Sequence, residues 1–567
     1  MSLYKERIDS YIDSKKDQML SDLAALVRID SQRGPALEGK PFGEGPVAVL
    51  LAAQKLMEDY GLAVRNYDNY VVAGDLAASK DEPASDLAAD KDEPVSGLAA
   101  GGDELADGLA ASGDEPAGGL AAGGDEPVSD LAANGDGMTS EKGLDILAHL
   151  DVVPVTEDWT VTQPFEPKLV DGRIYGRGTA DDKGPAIAAL YAIRAIHDLE
   201  IPMKKGVRLV LGSDEECGSG DLRYYYGIEK EAPYTFTPDA DFPVINIEKG
   251  RLEADFTAEP SGAPSAEISD GQNLPGADST VDGQTAEHAG ETRQRPRVLS
   301  LKSGEKANVV PGRAVLVLEG LPEAAVRAAA GETEKETGVL FEITEDLTAA
   351  ANILRVEARG LSAHASTPQE GHNALTASIR LVAKLSGYLA HSEMLRALLA
   401  LDQLFPYEDT CGEALGIYRE EGQSGAVTMC LSILDYTPER MKGTFDSRLP
   451  IGCTEENTKQ PIMEQLAKYG IRLEDTPMTK PHCVPGDSDF VKILLDSYEL
   501  YTGIKGAPLS TGGGTYVHNL ERGVAFGCMT PDVDNHMHGD DEFMVIDTLV
   551  TSAKIFAEAI IRICNEL

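Results

Sequence analysis

The stretch Leu209–Asp221, "LVLGSDEECGSGD", begins as a short apolar run and then places Asp214, Glu215 and Glu216 side by side. A short apolar run of this kind is typical of a buried strand. Three adjacent carboxylates repel one another, which disfavours folding unless cations lie beside them. The stretch therefore predicts a buried strand that leads into a cation-binding site, and the remaining ligands of that site must come from other parts of the chain.

The composition limits the classes of protein to which the chain can belong. With 567 residues it is longer than one hydrophobic core usually serves, so two or more domains are expected. Its formal net charge of -45 would repel nucleic acid and anionic membrane surfaces. No apolar run is long enough to span a membrane, and the charged N-terminus has no signal-peptide core. The seven cysteines lack C-x-x-C spacing and fit reduced thiols, so a cytoplasmic protein is expected.

Two stretches differ from folded protein in composition. From Asp75 to about Gly137 a unit of about eleven residues repeats, for example "DLAASKDEPAS" and "DLAADKDEPVS". Glycine and proline recur in nearly every unit and oppose a continuous helix, so residues 75–137 are predicted to be an acidic, mostly disordered insertion. Residues 259–297 are rich in small and polar residues and are predicted to be a second loop insertion.

Outside these stretches the pattern is that of an α/β protein. Helical apolar spacing occurs in "GPVAVLLAAQKLMEDYGL", "DKGPAIAALYAIRAI", "SDFVKILLDSYELYTG" and "DTLVTSAKIFAEAIIRI", whereas "LDILAHL" and "VRLVLG" resemble buried strands. We expect residues 1–249 and 482–567 to form one domain, with a mixed, mostly parallel sheet flanked by helices. Between residues 250 and 481, strand-like runs flank helix-like "ALTASIRLVAKLSGYL", which predicts a separate, inserted α+β domain.

Four other places carry metal-ligand residue types at predicted strand ends or in tight loops. They contain His149 and Asp151, Asp181 and Asp182, Asp239 and Asp241, and His536 and His538. In "AHLDVVP" the His-x-Asp spacing puts both side chains on one face of a strand, so the aspartate can fix the ring of a metal-bound histidine. Each place alone is a weak signal, because a lone aspartate is usually a helix cap and a lone histidine is more often structural. Together, histidines and carboxylates without cysteine suit a hydrolytic site for zinc, cobalt or manganese.

The motifs resemble those of the co-catalytic di-zinc aminoacylase/carboxypeptidase family, which includes carnosinases, acetylornithine deacetylase and succinyl-diaminopimelate desuccinylase. They are "LAHLDVVP", "WTVTQPFEPKLVDGRIYGRGTADDKGP", "GSDEECGSGD", "TPDADFPVINIEKG", "GLSAHASTPQEGHNA", "STGGGTYV" and "MHGDDE". They occur in the family's order and cover most of the chain outside the two insertions. They are most similar to the bacterial dipeptidase V (Xaa-His dipeptidase) branch, which "TPDADFPVINIEKG" favours over the deacylases. The resemblance implies a catalytic domain with an inserted lid domain.

The resemblance also implies a role for each matching position. It gives five ligands to two divalent metal ions in two groups that share a bridging aspartate: His149, Asp181 and Asp239, and Asp181, Glu216 and His538. Glu215 would be the general base and acid, Asp151 would orient the metal-bound histidine, and Asp214 would buttress the loop. Asp181 is preferred to its neighbour Asp182 because the pattern is Asp-x-Lys-Gly, and His536 is the alternative to His538.

Four further positions would serve the substrate. The resemblance implies that His364 from the inserted domain helps to stabilise the oxyanion and that Arg448 holds the substrate's C-terminal carboxylate. Asn308 would add a polar contact, and Gly513 would bring backbone amides close to the substrate. The alternatives are a polar loop residue at His364, a surface salt bridge at Arg448 and a simple tight turn around Gly513.

These observations predict a cytoplasmic metallopeptidase, most simply a monomer, that hydrolyses dipeptides with a free amino terminus. Zinc is the expected metal, with manganese or cobalt as alternatives. Neither nucleic acid nor a membrane is expected as a partner. An N-acyl-amino-acid deacylase of the same fold is the first alternative, and a non-catalytic binding protein is the second. The sequence leaves open the side-chain preference and the role of the acidic repeats.

Overall fold

The computed structural model describes residues 3–79, 141–261, 295–345 and 352–567. Most of the two predicted insertions therefore lies outside the described residues. The first boundary needs a correction, because Asp75 and Leu76 end a strand instead of beginning the insertion. The carboxylate of Asp75 pairs with Arg208 at 2.7 Å, which explains why these two residues belong to the sheet.

The first part of the chain, up to residue 248, alternates helices and strands. Its helices are α1 (Lys5–Val27), α2 (Glu44–Asp59), α3 (Lys183–Asp198) and α4 (Gly220–Tyr226). Its strands are β1 (Ala63–Tyr67), β2 (Val71–Leu76), β3 (Lys142–His149), β4 (Lys168–Val170), β5 (Arg173–Tyr175), β6 (Gly206–Gly212), β7 (Tyr234–Thr237), β8 (Ala240–Asp241) and β9 (Val244–Glu248).

The middle part of the chain has a different texture, with long antiparallel strands. Its strands are β10 (Gly250–Ala258), β11 (Arg297–Ser303), β12 (Arg313–Glu319), β13 (Leu340–Glu345), β14 (Ile353–Arg359), β15 (Glu420–Glu421), β16 (Gly425–Ala426), β17 (Thr428–Thr437), β18 (Arg440–Leu449) and β19 (Arg472–Leu473). Its helices are α5 (Glu323–Thr337), α6 (Ala374–Lys384), α7 (Glu393–Leu404) and α8 (Gln460–Ala467).

The last part of the chain returns to the first sheet. Its strands are β20 (His482–Cys483), β21 (Pro508–Thr511), β22 (Gly523–Ala525), β23 (Cys528–Met529) and β24 (Phe543–Val545). Its helices are α9 (Asp489–Thr502) and α10 (Ile546–Glu566). None of the helices that the structure describes is long and apolar enough to cross a membrane.

Two large sheets organise these elements. The first has the order β1-β2-β6-β3-β7-β22-β9-β20, with β21 beside β9. It is parallel at its centre, where β6, β3, β7 and β22 are neighbours, and antiparallel on either side of it, except that β21 pairs with β9 in parallel. The second sheet is antiparallel and has the order β13-β14-β12-β11-β17-β18-β10-β19. The predicted fold class, a mixed α/β sheet with helices and an additional α+β unit, is confirmed.

Each sheet has its own hydrophobic core. The first core draws on residues from Ile8 to Val244 and from Val484 to Cys564, and the second on residues from Leu252 to Met478. Helix α3 is apolar on every side and is buried from Lys183 to Ile196, because α1 and α10 pack against it as well as the sheet. This packing holds the N-terminus of α3 in place beneath the carboxyl end of β3.

The described residues that flank the first insertion lie at the opposite end of β6 from the acidic loop, residues 213–219. Strand β2 ends with Leu76 beside Val207, and β3 begins with Lys142 beside Gly206, so both flanks lie at the start of β6. The acidic loop follows the other end of β6. A strand of that length spans roughly 20 Å, so the attachment points of the insertion are remote from the acidic loop.

We expect the insertion to be dispensable for folding. Its two flanks lie on either side of β6, about 10 Å apart at ordinary strand spacing, and about six residues bridge that distance. Replacing residues 80–140 with a six-residue Gly-Ser linker should leave one cooperative thermal transition with a midpoint within about 3 °C of the full chain. Calorimetry checks this, and a fall of the midpoint by more than about 10 °C would show that the insertion belongs to the folding unit.

A buried acid in β3 makes stability depend on pH. Asp145 is fully buried, its Oδ1 has no hydrogen-bond partner among the described residues, and its Oδ2 accepts a hydrogen bond from Ala232 N at 3.3 Å. Burial raises the pKa of Asp145 to about 6, against the opposing charges of Arg208 and Lys142. Because the folded-state pKa is raised, this group stabilises the fold below about pH 4, and that stability is lost as the pH rises to about 6.

Asp145→Asn should therefore stabilise the protein at pH 8 by about 2 kcal/mol, and the gain should vanish towards pH 4. Chemical unfolding at both pH values checks the sign. Asp75→Asn is the control, because the carboxylate of Asp75 pairs with Arg208 and its loss should destabilise the fold at pH 8. An equal change for Asp145→Asn at both pH values would rule out the ionised carboxylate as the cause.

Candidate active site

The candidate active site lies at the carboxyl end of the parallel strands. His149 is the last residue of β3, and Asp239 follows β7. Glu215 and Glu216 form a single 3-10 turn shortly after β6. Asp181 lies in the turn before α3, and His538 lies in the loop between β23 and β24. Ligand-type side chains therefore reach one place from three strand ends, the turn before α3 and one distant loop, as in open α/β sheets generally.

Five of these side chains form two groups that share Asp181. In each group, His149 with Asp181 and Asp239, or Asp181 with Glu216 and His538, the candidate ligand atoms lie within 4.8 Å of one another. The Nε2 atom of His149 lies 2.9 Å from Asp181 Oδ1 and 3.7 Å from Asp239 Oδ2. The Nε2 atom of His538 lies 2.7 Å from Asp181 Oδ2 and 3.2 Å from Glu216 Oε1. The two oxygens of Asp181 thus face different groups, which is the arrangement of a bridging carboxylate.

The groups concentrate negative charge away from water. Burial, and then the negative charge of Asp181, raise the pKa of Asp239 and of Glu216. Burial also acts to raise the pKa of Asp181, but close contact with the rings of His149 and His538 outweighs it, and the pKa lies well below its usual range. Divalent cations relieve this repulsion, because they allow neighbouring acids to ionise together.

An unsatisfied nitrogen shows that the groups fit metal ions. The Nε2 atom of His149 is buried and makes no hydrogen bond within the described part of the chain, although two carboxylates surround it. A buried polar atom without a partner is rare in native structures and usually faces a missing ion or water. Imidazole nitrogen with carboxylate oxygens, and no sulfur, is the ligand set of zinc, manganese or cobalt. The residues present therefore fit two divalent cations.

Asp151 contacts both His149 and the acidic loop. The Nδ1 atom of His149 lies 3.1 Å from the carbonyl oxygen of Asp151 and 3.5 Å from its carboxylate. That carboxylate accepts hydrogen bonds from the backbone N–H groups of Glu215, at 3.1 Å, and Glu216, at 3.2 Å. Asp151 is therefore placed to orient the ring of His149, mainly through its backbone, and to hold the turn that carries the two glutamates.

The other acids of the opening stretch have structural partners. Asp214 pairs with Arg33 and accepts a hydrogen bond from Gly220 N at 3.0 Å, so it buttresses the loop. Asp221 accepts from the N–H groups of Ser213, at 2.5 Å, and Asp214, at 2.9 Å. The three adjacent carboxylates thus point to three separate surroundings, which reduces the repulsion between them.

Asp182 has a different role from its neighbour Asp181. Its Oδ2 accepts a hydrogen bond from the backbone N–H of His149 at 3.0 Å, and its side chain is fully buried. It belongs to neither of the two ligand groups in the described residues. The carboxylate of Asp182 therefore fixes the end of β3 through the backbone of His149, whereas Asp181 faces the histidine side chains.

Glu542 holds the turn that carries Asp181, a role that the sequence did not predict. Its Oε1 accepts hydrogen bonds from the backbone N–H groups of Gly178, Ala180 and Asp181 at 3.0, 2.8 and 3.2 Å. Its Oε2 pairs with Arg177 at 2.5 Å, and both side chains are buried. The turn that presents Asp181 is therefore built around one carboxylate. The available signal was a lone glutamate directly before the apolar run "FMV".

The loop that carries His538 is held from outside. His536, His538 and Asp541 have positive φ values of 58°, 63° and 56°, which cost backbone energy in residues other than glycine. Asp541 anchors the loop by accepting hydrogen bonds from Thr160 N at 2.9 Å and Val161 N at 2.8 Å. His538 reaches its ligand group with a side chain that is 52% exposed, whereas His536 is in neither group.

The residues expected to serve the substrate lie around the second sheet and a nearby loop. His364 Nδ1 lies 2.6 Å from Ser366 Oγ, and the carbonyl of Asn308 accepts a hydrogen bond from Ala365 N at 2.9 Å. Burial and then the charge of Arg448 lower the pKa of His364, and His538 acts in the same direction, so the two histidines lie within range of each other's charge. Gly513 N donates to Thr511 Oγ1 at 3.1 Å.

Arg448 forms an ion pair with Asp446, as the alternative expected, but both side chains are buried and the pair is not at the surface. Its Nε and Nη2 atoms contact Asp446 at 2.7 and 3.2 Å, and its Nη1 donates to the carbonyl of Gly512 at 2.5 Å. Arg448 therefore links the second sheet to the loop around Gly513.

Glu542→Gln should disturb the turn of Asp181. The amide nitrogen would face Arg177 or the three backbone N–H groups as a second donor, so a buried charge would be left unpaired. We expect a loss of about 3 kcal/mol in unfolding free energy and weaker retention of divalent metal against a chelator. Denaturant unfolding and metal analysis after dialysis measure the two effects.

The double variant Arg177→Met/Glu542→Gln removes the unpaired charge and should recover part of the stability. Glu439→Gln, the same substitution at an exposed glutamate, is the matched control for charge. Unchanged stability in Glu542→Gln would contradict a structural role for this carboxylate.

Comparison with known proteins places this geometry in context. Residues 146–562 match the sequence profile of peptidase family M20/M25/M40. A protein of Staphylococcus epidermidis named "Putative dipeptidase" is 29% identical over 578 residues, and the alignment covers 100% of both chains.

Two solved structures share the fold at low sequence identity. Human carnosine dipeptidase 1 is 14% identical with a TM-score of 0.50, covering 100% of both chains. Aminoacylhistidine dipeptidase from Vibrio alginolyticus is 13% identical with a TM-score of 0.50, covering 95% of both chains.

Proposed function

This chain belongs to peptidase family M20/M25/M40, and on that premise we propose that it is a metal-dependent dipeptidase acting on dipeptides with a free amino terminus. The observation that carries the proposal is the pair of ligand groups that share Asp181, beside a half-buried glutamate, Glu215, that belongs to neither group. The name of the Staphylococcus epidermidis relative supports dipeptides as the substrate class. The family resemblance stated from the motifs is confirmed at the level of the peptidase family.

We propose that His149, Asp181 and Asp239 hold one divalent cation and that Asp181, Glu216 and His538 hold the second. Zinc is the metal we favour, and manganese or cobalt fit the same ligands. When bound, the two cations polarise the scissile carbonyl and lower the pKa of a water molecule towards neutrality.

Glu215 is the residue we assign to proton transfer. Burial is the main cause that raises its pKa well above the usual range, and the neighbouring carboxylates of Glu216 and Asp151 add to it. A carboxylate with a raised pKa accepts a proton from the attacking water and returns it to the leaving amine at near-neutral pH. The hydrogen bond from its backbone N–H to Asp151 fixes the turn from which it acts.

We propose that residues 250–481, which contain the second core, form a lid over the catalytic domain. His364 would donate a hydrogen bond to the oxyanion that forms at the carbonyl, with Asn308 and Gly513 as polar neighbours. Arg448 would hold the substrate's C-terminal carboxylate. Of the five N–H groups of a guanidinium, three are used by Asp446 and Gly512, so two remain for the substrate.

We also propose that the protein acts as a monomer and is located in the cytoplasm. All seven cysteines are free thiols, which fits the reducing conditions of a cytoplasmic protein.

Hydrolysis of a small substrate panel tests the proposal. The panel contains carnosine, Ala-His, Leu-Leu, a tripeptide and N-acetylmethionine, assayed after chelation and after return of Zn²⁺ or Mn²⁺. We expect metal-dependent cleavage of the dipeptides alone. Glu215→Gln should lower kcat by about 100-fold or more while the variant still binds metal, because only the proton carrier is removed.

The matched control is Glu439→Gln, the same change at an exposed turn of the second sheet, which should keep full activity. Cleavage of N-acetylmethionine alone would move the protein to the N-acyl-amino-acid deacylases. Cleavage of no amide, with metal bound, would favour a non-catalytic binding protein.

A further inference from the structure

The chain passes between the two cores at two places that lie side by side. It leaves the first sheet after Glu248 and enters the second at Gly250, and it returns between Thr479 and His482. Glu248 pairs with His482, and Arg251 pairs with Thr479, so the crossings run antiparallel to each other. A Cβ at Gly250 would collide with the carbonyl oxygen of Thr479, so only glycine permits this close approach. We call residues 248–251 and 479–482 the hinge.

A loop of the first sheet is fastened to this hinge at both ends. We call it the glycine loop, residues 511–515. Lys249 N donates to the carbonyl of Thr511 at 2.9 Å. At the other end, Thr515 N and Oγ1 donate to the carboxylate of Glu248 at 3.2 and 2.7 Å. Between these anchors, the carbonyl of Gly512 accepts the hydrogen bond from Arg448, so the loop connects the hinge to the second sheet.

His518 bridges the two crossings of the hinge. Its Nδ1 lies 3.0 Å from Glu248 Oε2, and its Nε2 lies 2.9 Å from the carbonyl oxygen of Lys480. Both partners are acceptors, and the buried carboxylate of Glu248 already accepts from Thr515. A neutral imidazole has one N–H and can make only one of these hydrogen bonds. Both contacts are satisfied together only when the ring carries two protons.

The other ionisable group beside the ring does not change this count. The ring of His482 lies 6.3 Å from that of His518, centroid to centroid. Its Nε2 lies 2.6 Å from the carbonyl oxygen of Gly523, so a neutral His482 satisfies its contact by donating that one N–H. Glu248, which contacts His518 directly, is an acceptor and supplies no N–H of its own.

We propose that His518 is a positioning residue. As an imidazolium it donates to both hinge crossings at once, and it thereby fixes the glycine loop, whose Gly512 carbonyl accepts a hydrogen bond from Arg448. When the ring loses its charge, one of the two hydrogen bonds is lost and the loop is held less firmly. The inference rests on the proposed function in one respect, that Arg448 binds the carboxylate of the substrate. Loosening this contact should weaken substrate binding more than it slows chemistry, because the metal ligands and Glu215 lie on other loops.

The kinetic test compares wild type with His518→Gln from about pH 6 to about pH 9 on the best dipeptide of the panel. At the acidic end the KM of the variant should be about tenfold that of wild type, with kcat within about twofold, since a charge-assisted hydrogen bond is missing. The ratio of the two KM values should fall towards one as the pH rises, because wild type then loses the same contact. Effects common to both enzymes, such as titration of the substrate, cancel in the ratio.

His391→Gln, the same substitution at an exposed histidine of the second unit, is the control and should match wild type throughout. A KM ratio that stays constant with pH would show a merely structural role for His518. A ratio of one at every pH would overturn the proposal outright.

Nitrogen NMR of histidine-labelled protein tests the charge without any activity. The ring signals of His518, identified by their loss in His518→Gln, should show two protonated nitrogens at pH 6. A neutral ring at that pH would overturn the proposal even if KM changed. If no dipeptide is cleaved but the ring is doubly protonated, the proposed function has failed. The proposal that His518 donates two hydrogen bonds at the hinge would then still be supported.

Discussion

Repulsion among buried carboxylates at the carboxyl end of the central sheet is the constraint on which the rest of the site depends. The structure resolves it in two ways. Acids such as Asp151, Asp182 and Glu542 receive backbone N–H donors and thereby fix strand ends and turns. The carboxylates of Asp181 and Asp239 receive no backbone N–H from the described residues and instead face His149. The number of backbone N–H donors thus separates the acids that fix strand ends and turns from Asp181 and Asp239, which we propose as metal ligands.

Much of the site could be predicted because its chemistry is local in sequence. A histidine at the end of an apolar run, or an aspartate in a glycine-rich turn before a helix, identifies the element and the end at which the side chain lies. Such runs predicted the strand that ends at His149, the strand that precedes the acidic loop and the helix that follows Asp181. The meeting of these elements follows from the parallel arrangement, since parallel neighbours present the same end to one edge of the sheet.

The parts that were not predicted depend on contacts between residues far apart in the chain. Glu542 lies more than 350 residues from the turn that it holds, and nothing near it in sequence indicates that partner. Helix α1 was missed because its buried residues, such as Ile8 and Met19, are sparse among charges, and only packing against α3 distinguishes it from an exposed segment. The start of the first insertion was also predicted two residues too early. Asp75 has the sequence of the repeat, but its ion pair with the distant Arg208 holds it in the sheet.

The two ligand groups differ in their access to water. The group of His149 is closed in by residues that are almost entirely buried, whereas the group of Glu216 opens to solvent along His538, which is half exposed. Ions held in the two groups would therefore exchange at different rates, the open one first. Since Asp181 belongs to both, departure of the first ion would leave its second oxygen without a counter-charge and change the affinity of the ion that stays. Metal loss from a centre with these ligands would therefore be a coupled process of two steps, and the ion held by the buried group would be the second to leave.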